Sequence, residues 1–316
     1  MTSLVMARQM LKQFYSKYEA FVLPVIKFLI SLICLLIINK RLGYMPRLNN
    51  IAIVLMAALM CSFMPLNFTV FIAAVFVILH MYKLSLECFL VVAALFCILF
   101  LLYFRFSPKD TIAVLLTPVT FIMGVPYVMP IAAGLLGGPS SAVSVACGVI
   151  VYYVLEALVG GAGSITSLAE EEMTTRLKFV IDTVLDNKPM LAIVCAFAIT
   201  ILIVYGISRL KLVYSWYIAI GVGIIADIVL ILIFDIIFDT HISSGGLIVG
   251  SVLAAVVGVV IQFLFFHVDY SRTEKLQFED DDYYYYVKAI PKVTVPNTHK
   301  KVKRINSSKK HIDKGN

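Results

Sequence analysis

Residues 243–266 read SSGGLIVGSVLAAVVGVVIQFLFF, and residues 267–274 read HVDYSRTE. The first stretch carries no charge and, as a helix, runs roughly 36 Å, enough to cross a hydrocarbon core of about 30 Å. At His267 the chain turns polar and remains so to Asn316. Small residues recur every fourth position in the apolar stretch, at Gly246, Gly250, Ala254 and Gly258. In lipid, apolar surface gains little by pairing with apolar surface, so small residues that let backbones approach are what hold helices together. This stretch is therefore read as a packed transmembrane helix, with a cytoplasmic tail over 267–316.

The same reading extends upstream. Of the 316 residues, 61% are hydrophobic and 14% charged, against roughly 25% charged in soluble domains. Clean spanning candidates fall at 21–39, 85–104, 141–159, 189–207, 213–238 and 243–266. Residues 51–82 are apolar but interrupted at Met64-Pro65-Leu66-Asn67, which predicts two short helices or a hairpin. Residues 111–138 carry Pro118, Gly124, Pro126, Pro130, Gly134, Gly137 and Gly138, with Pro139 next. So many breakers predict a broken span, or a span plus a re-entrant segment. The fold class is thus an all-α polytopic bundle of eight to ten spans, with its transmembrane domain over 21–266 and residues 1–20 as a cytoplasmic N-terminal segment.

Between 160 and 188 lies a polar loop. Ser167 with Glu170 forms a capping box, and Met173, Leu177, Val180, Ile181 and Val184 follow at helical spacing. An amphipathic helix is expected over 167–186, lying on the membrane or on the bundle.

Orientation follows Lys and Arg. The basic tail (Lys300, Lys301, Lys303, Arg304, Lys309, Lys310) places the C-terminus inside, and an even number of spans places the N-terminus with it. The net charge of +7 sits largely in the tail and turns, so it is no nucleic-acid signature.

Two acids stand in apolar helices. Asp227 is mid-span on a stripe with Gly223, and Glu156 lies toward the end of the helix that carries Gly148. An acid at the bilayer centre costs at least about 2.5–3.5 kcal/mol, so it usually serves a cavity, a partner or a proton path. Broken helices free backbone groups at membrane depth, a device transporters use to build sites. The candidate polar site is therefore Asp227 with Glu156, near the broken segment Pro118–Pro139. Lys27 is expected to snorkel, and His80 and Glu87 to be interfacial. The six cysteines lie in apolar runs without metal-ligand spacing. No nucleotide-binding, metalloprotease or serine-hydrolase motif is present, so neither a cofactor nor catalysis is expected.

In the tail, Phe278 precedes an acidic run and Tyr283, Tyr284, Tyr285 and Tyr286, with β-forming residues over 283–295. Such a segment suits docking to a cytoplasmic protein by strand addition. The junction HVDYSRTE and the block FEDDDYYYYVKAIPK (278–292) resemble the tail of an uncharacterised family of bacterial multi-pass membrane proteins. That resemblance implies an inner-membrane protein and carries no activity. The expected partners are the lipid bilayer, a cytoplasmic protein on the tail, and a second copy of the chain. A transporter-like or permease-like protein and a membrane scaffold are the two readings the sequence supports.

Overall fold

The computed structural model describes residues 2–167, 173–210, 214–240, 243–265, 274–279 and 284–289. The helices are α1 (Thr2–Leu42), α2 (Ile51–Phe63), α3 (Leu66–Leu84), α4 (Leu86–Phe106), α5 (Thr111–Ile122) and α6 (Val128–Leu136). They continue with α7 (Ser141–Gly160), α8 (Ala162–Ser167), α9 (Met173–Leu185), α10 (Lys188–Ser208), α11 (Ser215–Phe238) and α12 (Ser244–Phe265). Two strands follow, β1 (Glu274–Glu279) and β2 (Tyr284–Ala289). Packing divides the chain into the unit Tyr18–Phe266 and a second unit made of Met1–Lys17 with His267–Asn316.

Among the described residues, seven helices are long and apolar enough to cross a membrane. The protein is an all-α, multi-pass membrane protein. The expected breaks have local causes. Pro65 has no amide hydrogen to donate and leads directly into α3. Asn50 caps α2 by accepting from Ala52 N at 3.0 Å, and Ser85 caps α4 by accepting from Cys88 N at 3.1 Å. Of the two alternatives expected over 51–82, the helices form the hairpin: α2 is short, at 13 residues, and α3 is 19 residues, long enough to span. The first helix runs from Thr2 to Leu42 with a kink at Tyr18, and the span expected at 21–39 lies within the part after the kink.

Helix directions follow from paired contacts. Asp110 meets Ser141, Thr117 lies against Gly148, and Phe121 stacks on Tyr152 at 4.6 Å. Each pair is 31 residues apart, so α5 and α7 run parallel. The intervening α6 must then return to the face from which α5 entered. Its own contacts agree. Tyr127 meets Phe197 and Gly134 meets Val204, a parallel match to α10, while Thr200–Asp227 and Val204–Gly223 set α10 antiparallel to α11. Residues 111–136 are therefore a re-entrant helical hairpin, not a span.

We call proximal the face where α12 ends and distal the opposite one. α1, α3, α7 and α11 run from proximal to distal, and α2, α4, α10 and α12 run back. Seven of these are the helices long enough to span; the eighth, α2, is 13 residues and is placed by its antiparallel pairing with α1 through Ser31–Ala58 and Ser62–Pro24, and the hairpin α5–α6 falls between α4 and α7. α9 lies at the distal face against α4 and α7, its Val180 and Val184 buried. This is the expected amphipathic helix, described over 173–185; residues 168–172, including Glu170 of the capping box, lie outside the described residues. In the other unit, β1 and β2 pair antiparallel with Phe278 opposite Tyr285 and Gln277 opposite Tyr286. A strand was expected over 283–295, and β2 supplies it at 284–289, but its partner is the chain's own 274–279. Tyr283 and residues 290–295 lie outside the described residues.

Candidate mid-membrane polar site

The tip of the re-entrant hairpin, Met123–Tyr127, is shaped by its sequence. Pro118 lacks an amide hydrogen for the α5 ladder, and Gly124 closes the helix at φ 75°, a left-handed backbone that glycine adopts without a Cβ clash. Val125 N reaches back to Thr120 O at 2.9 Å, and Met129 N to Pro126 O at 3.0 Å. The turn thus binds several of its own backbone groups, as a turn inside a bilayer must. Rings surround it: Phe121 stacks on Tyr152 and contacts Phe197 at 6.0 Å, and Tyr127 meets Phe197 edge-on at 6.2 Å.

The second leg, α6, is nine residues with Met129, Pro130, Ile131, Ala133, Gly134 and Leu135 all buried. It fits because its neighbours offer glycine. A Cβ on Gly223 would stand 2.3 Å from Val204 and 3.0 Å from Ile131. One on Gly250 would stand 2.3 Å from the Tyr127 ring, and one on Gly258 3.2 Å from Ile220 and 3.3 Å from Ile131. Gly223 of α11 therefore receives α10 and α6, while Gly250 and Gly258 of α12 receive Tyr127, α6 and Ile220 of α11. Gly148 takes Thr117 of α5 in the same way, at 2.6 Å, while Ala254 is buried. Gly246 does not belong to this contact: its nearest neighbour is Ser243 at 3.8 Å, at ordinary van der Waals distance.

Asp227 lies beside this hairpin. It is 1% exposed, with roughly 17 Å of α11 on either side. Its Oδ1 accepts from Thr200 Oγ1 at 3.1 Å, and it lies within electrostatic range of Tyr127. Neither ion pair among the described residues includes it. Glu156 occupies a different place. It is half exposed near the distal end of α7, 3.7 Å from Arg41 Nη1 on α1. The two acids expected to share a site thus meet different partners on different helices.

The base of the hairpin is held by a buried polar cluster that the sequence did not single out. Ser141 Oγ donates to Asp110 Oδ2 at 2.7 Å and accepts from Gly138 N at 3.0 Å, so one hydroxyl joins the start of α5, the end of α6 and the start of α7. Gly137 lies against the same side chain. Ser107 and Ser144 hydroxyls pair at 2.6 Å. Tyr103 Oη donates to Asn67 Oδ1 at 2.8 Å, and Thr111 Oγ1 binds the same amide oxygen.

Two further residues flank the Lys83 turn, as expected, and are buried there. His80 is 0% exposed. The 43–50 loop folds over it: Met45 N donates to Nδ1 at 3.1 Å, so Nε2 carries the hydrogen toward Asn39 Oδ1 at 3.0 Å. Glu87 is 2% exposed because α9 lays Arg176 on it at 3.1 Å. Lys27 reaches the Met64 carbonyl at 3.1 Å. Among the described residues no group of three His, Cys, Asp or Glu is placed to hold a metal ion.

Comparison with known proteins adds no name to this geometry: no family model, curated protein or solved structure matches the chain.

Proposed function

We propose that this chain is a transporter-like membrane protein in which the re-entrant hairpin α5–α6 gates a mid-depth acid, Asp227. The observation that carries the reading is the position of that carboxyl group. It sits halfway along a span, against a neutral hydroxyl instead of a counter-cation, beside the tip of a helix that enters and leaves from one face. A neutral hydrogen bond does not offset the cost of a charge at this depth, so the group is served by a proton or a small cation. Alternating access then consists of the hairpin shifting against α10, α11 and α12, with Asp227 open to one face at a time. Glu156 is outside this cycle.

The proximal face is assigned to the cytoplasm of a bacterial cell membrane. Arg105, Lys109 and Arg209 lie there, and so do the ends from which the basic terminal segments leave. The distal face carries more, with Lys40, Arg41, Arg47, Lys83, Arg176, Lys178 and Lys188, so the assignment rests on the terminal segments.

The test uses the full chain in proteoliposomes with an entrapped pH dye and an imposed potassium diffusion potential. The wild type is expected to take up protons faster than protein-free vesicles, and a monodisperse Asp227→Asn variant to match the empty vesicles. Equal rates for the variant and the wild type, or no flux from either, count against the reading.

A second reading rests on the β1–β2 hairpin. An isolated two-stranded hairpin is marginal in water, and its outer edges offer unpaired backbone groups to another sheet. Under this reading the tail recruits a cytoplasmic protein through 274–289. Deleting 275–316 then abolishes function while leaving proton flux intact.

A further inference from the structure

A second feature of the bundle lies away from Asp227. A cavity of ≈110 Å³ opens between α1 and the face formed by α3, α5 and α7. Its inner end is near Cys34, Val70 and Leu115, and its walls include Val119 and Val151. Its outer end is at the distal face, where Arg41 and Glu156 stand together. From Cys34 to Arg41 the slot follows about two turns of α1, roughly 10 Å.

Apolar walls alone select nothing in a bilayer, since lipid tails are as apolar as the walls. Selection has to come from the mouth. There the guanidinium and the carboxylate are 3.7 Å apart, beyond hydrogen-bond length, with side chains 46% and 50% exposed. A pair this loose and wet contributes little to stability. It can open to admit another cation and another anion without a large cost. A guanidinium presents two parallel N–H groups to phosphate, and a carboxylate accepts from an ammonium. The carboxylate beside Arg41 repels a ligand that brings only negative charge.

We propose that this cavity is a binding site for a zwitterionic aminophospholipid. The headgroup-proximal part of one acyl chain fills the slot between α1 and the face formed by α3, α5 and α7. The headgroup phosphate lies on Arg41 and its ammonium on Glu156. The ligand is a lipid rather than a soluble zwitterion because the cavity beneath the charged pair is apolar and lies within the hydrocarbon depth. The site is independent of Asp227.

The experiment is native mass spectrometry of the full chain released from nanodiscs. The nanodiscs contain phosphatidylethanolamine or phosphatidylglycerol with identical acyl chains. One phosphatidylethanolamine is expected to survive delipidation at about tenfold or greater excess over phosphatidylglycerol, the discrimination a charge-assisted hydrogen bond gives. Arg41→Gln and Glu156→Gln, both half-exposed sites, are expected to erase that preference. Val151→Trp, which fills the slot, is expected to remove the retained lipid whatever its headgroup. Equal retention of the two lipids, or retention unchanged in Arg41→Gln and Glu156→Gln, overturns the proposal. Preference for phosphatidylglycerol overturns it too, because it leaves Glu156 without a role.

Discussion

Substituting Gly250 with alanine tests the seat of the hairpin tip. An added Cβ would lie 2.3 Å from Tyr127 Cδ2 and 2.8 Å from Cε2. Carbon atoms rest at about 3.5–4.0 Å, so more than an ångström of overlap has to be relieved. The ring has little room to give it, being 7% exposed and edge-on to Phe197. Overpacking of this kind costs about 1–3 kcal/mol, while replacing a helical glycine with alanine returns about 0.8–1 kcal/mol. The net expectation is a loss of up to about 2 kcal/mol, larger for Gly250→Val. Gly246 provides the internal control. It lies on the same stripe, but its Cβ would meet nothing nearer than Ser243 at 3.8 Å, so Gly246→Ala keeps the propensity gain alone. Thermal unfolding of the detergent-solubilised chain should place Gly250→Ala a few degrees below the wild type and Gly246→Ala at or above it. Tyr127→Ala should be less harmful in the Gly250→Ala background than in the wild type, because the two changes share one contact. The reasoning is refuted if Gly250→Ala and Gly246→Ala unfold together.

The remaining predictions concern the other fastenings. Ser141→Ala removes both hydrogen bonds of a fully buried hydroxyl, to Asp110 and from Gly138. It should cost about 1–3 kcal/mol, read as a lower unfolding temperature; an unchanged temperature would show that the hairpin base is held by apolar packing. Arg176→Ala leaves the buried Glu87 without its cation. The cost should fall short of the roughly 3–5 kcal/mol of a fully buried pair, because Arg176 keeps some contact with water. Hydrogen exchange should then accelerate over 173–185 and not in α10, and uniform protection across both would refute the role of this pair in fastening α9.

How much of this was legible beforehand depends on what each signal reports. Gly124 and Pro126 mark a break because they act on the local backbone, and the break is where they place it, whereas Pro118 lies inside α5, which continues through it. They do not say which way the chain leaves. That is decided by α5 lying parallel to α7, through contacts such as Phe121–Tyr152 that no periodicity announces. Asp227 is conspicuous because an acid in an apolar run is rare. Thr200 and Tyr127 are ordinary residues in such helices, so the partners of the acid were hidden. Glu156 carried the same signal as Asp227, but position along a helix does not report facing, and the structure turns it to Arg41. The small stripes were visible too. A four-residue repeat drifts by about 40° per step, and Gly246 accordingly rotates off the face that Gly250 and Gly258 share.

The central claim, that 111–136 enters and leaves by one face, is tested by the sidedness of its two ends. Single cysteines at Lys109 and Pro139, in a chain with its six native cysteines replaced, are probed with a membrane-impermeant maleimide in intact and inverted vesicles. A third cysteine at Gly161 reports the opposite face. The expected result is that positions 109 and 139 label from the same side and position 161 from the other. Labelling of 109 and 139 from opposite sides would make the segment a true span and would remove the hairpin from beside Asp227.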